Sequence, residues 1–309
     1  MNTRQEIIQW LLEGDISIQY QTKRDLLHVK EDSIVELRAR IATEGWGYSI
    51  LQKQNENGHW GISFYQPKWV CTHYTLLDLR CLCCPNTDGI NIAINIIADE
   101  NKAEDGGINT SRGIKESDVC INGMFLNYAC FYNLKEEKLK SVIDFIISQQ
   151  LHDGGFNCLL NRSGATHSSL HSTISCLEGI QEYIKNGYTY RIDELKSIEK
   201  ASQEFILVHR LYKSDKTGEI IHKSFTMLSY PSRWRYDILR SLSYFQQAKV
   251  PYDDRMEDAL QLLLSKQRRD SRWPVQAKHA GKVHIDMEKT GTASRWNTLR
   301  AIKVLDYYK

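Results

Sequence analysis

Apolar residues recur along this chain at helical spacing rather than in alternation. Val142-Ile-Asp-Phe-Ile-Ile, Ile238 to Phe245 and Leu260-Gln-Leu-Leu-Leu place bulky side chains three and four apart. No sustained alternation occurs, and no Asn-Gly turn joins two alternating runs, so strands are not expected. Between the helical stretches lie turns of related composition. They are Gly58-His-Trp60-Gly61, Asp105-Gly-Gly107, Asp153-Gly-Gly155-Phe156, Asp215-Lys-Thr-Gly218 and Arg269-Asp-Ser-Arg-Trp273-Pro274. Gly107 and Gly155 stand 48 residues apart.

Each turn follows a helical stretch that often ends in Gln or Lys, as in Ile50 to Gln54, Val142 to Gln150 and Leu260 to Gln267. Each then leads through a polar loop to a second helix, beginning near Thr72, Asp118, Ser168, Ser232 or Ser294. Every one of these positions offers a side-chain cap. The unit is therefore helix, turn, loop, helix, and its repetition predicts an all-α array. Second helices are the more apolar and should form an inner ring; first helices carry more charge and should face water. Residues 33–309 hold about five such hairpins. Residues 1–32 form an atypical N-terminal helical cap, with Thr3 and Glu6 spaced as a capping box for a helix over Thr3 to Glu13. A second helix is expected over Ile16 to Val29. The whole of 1–309 reads as one domain.

Composition changes this picture little. The chain has 309 residues, 41% hydrophobic and 25% charged, with a net charge of +2. That is ordinary globular composition. With no coherent basic stripe, nucleic acid is not an expected partner. No run of about 18 apolar residues exists to span a membrane, and the N-terminus lacks a secretory pattern. The eight cysteines fall mostly at apolar helical positions, which reads as reduced, cytoplasmic usage. Cys81 and Cys84 form a C-x-x-C that no second pair answers. Rossmann, P-loop and His-Glu-x-x-His motifs are absent.

The densest chemistry lies in Arg112-Gly-Ile-Lys115-Glu-Ser-Asp118-Val-Cys120, after the Asp105-Gly-Gly107 turn and ahead of an apolar run. Two cations suit a phosphate or diphosphate. Thiolate and carboxylate together suit zinc. The bland readings are an N-cap for Asp118, a core thiol for Cys120 and a solvated loop face for Arg112 and Lys115.

The turns Leu51-Gln-Lys-Gln-Asn-Glu-Asn-Gly-His-Trp-Gly and Ser148-Gln-Gln-Leu-His-Asp-Gly-Gly-Phe look like the Gln-to-Trp and Gln-to-Phe repeats of the terpenoid cyclase and protein prenyltransferase β-subunit superfamily. The resemblance covers most of residues 33–309 and implies an α/α toroid. Arg112, Lys115, Asp118 and Cys120 are similar to that family's Arg-x-x-Lys-x-x-Asp-x-Cys segment. On that resemblance Arg112, Lys115 and His73 hold and stabilise an isoprenoid diphosphate, while Asp118, Cys120 and His171 bind zinc. Tyr74, Phe125, Tyr128, Trp234 and Trp296 would line an apolar pocket. The sequence departs from the family in having Ile121 after the cysteine, where the family has Tyr. The family also works with a partner subunit, of which this chain gives no sign.

The expected activity is prenyl transfer to an acceptor, with zinc activating a thiol. One alternative is a terpene cyclase without the Asp-x-Asp-Asp acid, with Asp237 as a weak candidate. Another is an (α/α)-barrel glycosidase using turn carboxylates such as Glu104-Asp105 and Asp153. The last is a toroid that binds lipid or peptide without chemistry.

Overall fold

The computed structural model describes residues 3–111 and 115–308. Fourteen α-helices are found among these residues. They are α1 (Arg4–Leu12), α2 (Ile16–Asp25), α3 (Val35–Arg40), α4 (Gly45–Leu51), α5 (Thr72–Cys81), α6 (Asp88–Glu100), α7 (Val119–Phe131), α8 (Lys140–Ser148), α9 (Leu160–Ser163), α10 (Leu170–Lys185), α11 (Ile192–Val208), α12 (Ile238–Gln247), α13 (Glu257–Ser265) and α14 (Arg295–Tyr308). Extended pairing among the described residues is confined to isolated bridges such as Lys102 with Ile108.

The helices form two concentric rings, an α/α toroid. The inner ring is α2, α5, α7, α10, α12 and α14; neighbours pack against one another around it. Burial separates the rings. In α7 every residue from Ile121 to Cys130 is buried, whereas α6 buries only Ile90, Ala93, Ile94, Ile97 and Ala98, the spacing of a single stripe. Second helices lie inside and first helices outside, as expected, but burial and not apolar composition separates them, since α5, α12 and α14 carry charges within the inner ring.

The first two helices do more than cap. Thr3 and Glu6 form the capping box that starts α1. α2 then enters the inner ring and closes it between α14 and α5. Gln21 donates to the Cys81 carbonyl at 2.9 Å, and Lys303 pairs with Asp25 at 2.7 Å. The ring thus has six inner members.

The turns explain the repeat. The Gln54 side chain donates to the Gly58 carbonyl (2.9 Å) and Gln150 to the Gly154 carbonyl (2.9 Å), closing each turn four residues on. The indoles of Trp60 and Trp273 donate to carbonyls ten residues upstream, Ile50 (2.9 Å) and Leu263 (2.7 Å), and so satisfy outer-helix C-termini. The turn carboxylates are consumed locally. Asp105 accepts from the backbone of Gly107 (3.0 Å) and Ser117 (2.7 Å); Asp153 accepts from the backbone of Ser168 (2.8 Å). Gly106 and Gly154 hold φ of +85° and +91°, where a side chain is strained. Inner helices start within two residues of the expected caps at Thr72, Asp118, Ser168 and Ser294. Near Ser232 the start is six residues later, at Ile238, because Asp237 is the cap (2.8 Å to the Arg240 N–H).

α7 and α10 make the closest contact in the ring. A Cβ on Gly179 would lie 2.3 Å from the Gly123 carbonyl oxygen, and one on Gly123 would lie 2.5 Å from the Ser175 carbonyl oxygen. Gly179→Ala should therefore lower stability by about 1–3 kcal/mol through overpacking, against a helix-propensity gain of about 1 kcal/mol. Urea unfolding of the variant and the parent checks this; equal or greater stability of the variant would contradict the packing.

Candidate functional site

Inside the ring lies an axial cavity of about 460 Å³. One end is built by Tyr230, Ser232 and Arg233, from the segment ahead of α12, with Trp296 of α14. The other end is reached along α2, α5, α7, α10 and α12 to their C-terminal residues, including Asp25, Cys81, Phe131, Lys185 and Gln247. Past the first end, the segment between α13 and α14 packs across the start of α5. Trp69 donates to the Ala280 carbonyl (2.6 Å), and Thr75 bonds His284 (2.9 Å). Arg233 forms a layer there: its guanidinium lies 4.5 Å from the Trp69 ring centroid and pairs with Asp78 at 3.4 Å.

The wall is charged. Arg24, Arg80, Lys185, Arg233, Arg240, Arg300 and Lys303 line it, with Asp25 and Glu178 as its carboxylates. Arg240 grips Glu178 with two bonds, 2.9 and 2.7 Å. Such forks orient both partners. Burial pushes the Asp25 carboxyl up, but Arg24 and Lys303 outweigh it and hold it below the usual range. Asp78 sits behind Arg233, 5% exposed; burial raises its carboxyl to about 6 against the pull of Arg233, and its Oδ1 has no partner in the protein. Tyr230 and Trp296 stack with centroids 4.8 Å apart and planes 9° apart, an aromatic wall beside the charges.

The structure redistributes the residues expected from sequence. Arg112 lies outside the described residues. Lys115 is exposed at the entry to α7. His73, Tyr74, Phe125 and Tyr128 are 0% exposed and belong to the packed core. Of the five aromatics expected to line a pocket, only Trp296 lines this cavity. Trp234 lies instead beside the His171 ring, 5.0 Å away. Asp237, the weak cyclase candidate, is 1% exposed and committed to capping α12 and to Ser229 (2.7 Å).

The expected zinc ligands are each engaged elsewhere. Asp118 stands at the N-cap position of α7 without capping it and pairs with Arg162. Cys120 lies against Cys158, whose Cα is 6.1 Å away, and the other six thiols are free. His171 Nδ1 accepts the Tyr236 N–H at 2.8 Å, and burial, then Arg240 and Arg235, lower its imidazole to about 4. Among the described residues no group of three His, Cys, Asp or Glu side chains is placed to hold a metal ion.

No family model matches the chain, and no curated protein matches it. Solved structures do. The chain is similar to a glycosyl hydrolase family 88 protein from Bacteroides vulgatus, with a TM-score of 0.54 and 12% identity over 98% of this chain and 97% of that one. It is also similar to a polysaccharide lyase, with a TM-score of 0.51 and 11% identity over 98% of this chain and 96% of that one. These likenesses establish the α/α toroid. They also correct the prenyltransferase and terpenoid cyclase resemblance: the folds matched end to end are those of a glycosyl hydrolase and a polysaccharide lyase. The cavity gives the physical reason, since a wall of arginines, lysines and carboxylates does not take an isoprenoid chain. No helix among the described residues is long and apolar enough to cross a membrane.

The core histidine has a measurable consequence. Burial lowers the His73 imidazole to about 3; its Nδ1 meets the Tyr128 hydroxyl at 3.2 Å, and its Nε2 has no partner in the protein. The unfolded chain takes up a proton near pH 6.5 that the native ring refuses, so this histidine costs stability as pH falls below 6.5. His73→Gln should flatten the pH dependence of unfolding free energy between pH 6 and 4 by up to about 1.4 kcal/mol per pH unit. Identical slopes in denaturant titrations of both proteins would rule out this role.

Proposed function

We propose that this chain is a carbohydrate-active enzyme that takes a saccharide into the axial cavity and cleaves a glycosidic bond by hydrolysis or elimination. The observation that carries this reading is the cavity wall. A space of about 460 Å³ combines an aromatic stack, Tyr230 on Trp296, with a dense set of hydrogen-bonding side chains. That mixture fits a sugar ring, which has an apolar face and a polar edge. The names of the two similar structures, a glycosyl hydrolase and a polysaccharide lyase, support the same substrate class. Glu178, a wall carboxylate oriented by the Arg240 fork, is assigned the acid–base role. Asp25 is the second wall carboxylate, as glycoside hydrolysis with two carboxyl groups requires. Six free thiols favour a reducing compartment such as the cytoplasm.

One observation favours a second reading, a toroid that binds saccharide without cleaving it. Both wall carboxylates are already engaged by cations, Asp25 by Arg24 and Lys303 and Glu178 by Arg240. A panel of oligosaccharides separates the two. Cleavage should release new reducing ends or unsaturated products. Glu178→Gln, checked for folding by circular dichroism, should lose about 10²-fold or more of that rate while still binding. Binding without cleavage by the parent protein selects the second reading. Neither binding nor cleavage across the panel would remove the saccharide from consideration.

A further inference from the structure

At the end of the cavity formed by the C-terminal residues of α2, α5 and α10, positive charge exceeds what the surrounding carboxylates satisfy. Asp25 is divided between Arg24 (2.6 Å) and Lys303 (2.7 Å). Glu182, 1% exposed, is divided between Arg80 (2.5 Å) and Lys185 (3.5 Å). Four cations thus share two carboxylates. Arg300 lies one turn before Lys303 on α14, lines the same wall, and forms no ion pair among the described residues.

Unsatisfied donors continue inward. The Arg80 Nε has no partner in the protein. Neither does the Nε of Arg233, which is only 6% exposed and lines the cavity. The Trp296 indole N–H, on a side chain 2% exposed in the same wall, is also unpaired. These three are donors; the unpaired Ser232 hydroxyl in the same wall can donate or accept, and the unpaired Asp78 Oδ1 lies behind Arg233. A buried donor without an acceptor is costly, and Arg300, half-buried, gives up part of its hydration without gaining an anion. A neutral ligand would supply acceptors but leave the charge of Arg300 uncompensated. A ligand oxyanion answers both, because its paired oxygens match guanidinium forks.

We propose that this part of the cavity is an oxyanion-binding site, in which Arg300 and Arg80, backed by Lys303, receive a phosphate or carboxylate group. The assignment stands apart from the saccharide reading, since it needs only the charge balance and the unpaired donors. The oxyanion is either free or carried on a sugar.

Calorimetric titration with inorganic phosphate, glucuronate and glucose tests it on the full chain. Phosphate or glucuronate should bind at least about tenfold more tightly than glucose, with affinity falling as salt is raised. Equal affinity for phosphate and glucuronate identifies a site for the bare oxyanion; tighter glucuronate identifies one carried on a sugar. Arg300→Gln breaks no hydrogen bond or ion pair to the described residues, so it should keep a melting temperature close to the parent's while weakening the anion about tenfold. Lys216→Gln, an equal charge change on an exposed turn, should leave affinity unchanged. The proposal is overturned if anions bind no better than glucose, if Arg300→Gln binds them as the parent does, or if Lys216→Gln loses as much. Cleavage of neutral saccharides with no anion preference would sink this site alone. Anion binding without cleavage would leave it standing and count against the enzyme.

Discussion

The toroid rests on a hydrogen bond made again and again between a turn and the helix that follows it. The backbone N–H of Trp60 donates to the Thr72 hydroxyl at 3.0 Å; that of Phe156 donates to Thr173, and that of Trp273 to Thr298, both also at 3.0 Å. The second repeat uses an amide, Ile108 to Asn122 at 2.6 Å. In each case the acceptor lies in the first turns of an inner helix and the donor is a large side chain's backbone. One bond therefore fixes how far each inner helix slides against its own turn, and buries the large side chain at that level. All four acceptors are buried, so loss of one would strand a buried N–H. Four of the six inner helices, α5, α7, α10 and α14, share this register.

This is why the fold was legible. A repeat writes the same constraint several times, and Gln54, Gln150, Trp60 and Trp273 are its visible marks. Each has an identified bond to backbone, either closing a turn or ending an outer helix. What sequence left out was the sixth inner helix. α2 has no Gly-rich turn of the common kind before it, and its place depends on partners far along the chain, Cys81 and Lys303. Local pattern carries no information on such pairings.

The site was legible only in part, for the same reason turned around. The cap region at Arg112 to Cys120 drew attention because its chemistry is close in sequence. Its described members, and the histidine expected to join them, are each engaged by a different partner: Asp118 by Arg162, Cys120 by Cys158, and His171 by the Tyr236 N–H. The cavity residues come instead from six helices, two to five from each, and from loop positions such as Cys83 and Arg233. A signal for them did exist. Arg80 in Thr72–Cys81, Glu178 in Leu170–Lys185 and Arg240 in Ile238–Gln247 are charges inside helices buried along most of their length. A helix buried on nearly every side has no solvated face on which such a charge is unremarkable.

That placement is also a statement about energy. Arg240 and Glu182 are 3% and 1% exposed, so their charges are withdrawn from water and compensated chiefly by Glu178 and Arg80. Replacing such pairs by well-packed apolar residues is often neutral or stabilising. The inner ring already has apolar neighbours at every level, so a dry core would serve the fold at least as well. Here the ion pairs do not even balance: cations outnumber carboxylates along the cavity, and Asp25 and Glu182 each serve two. A structural role requires charge matching and hydrogen-bond closure, because unmatched charge only subtracts from stability. Excess of one sign, gathered around open space with its donors unpaired, is instead the arrangement expected where part of the compensation comes from a bound molecule.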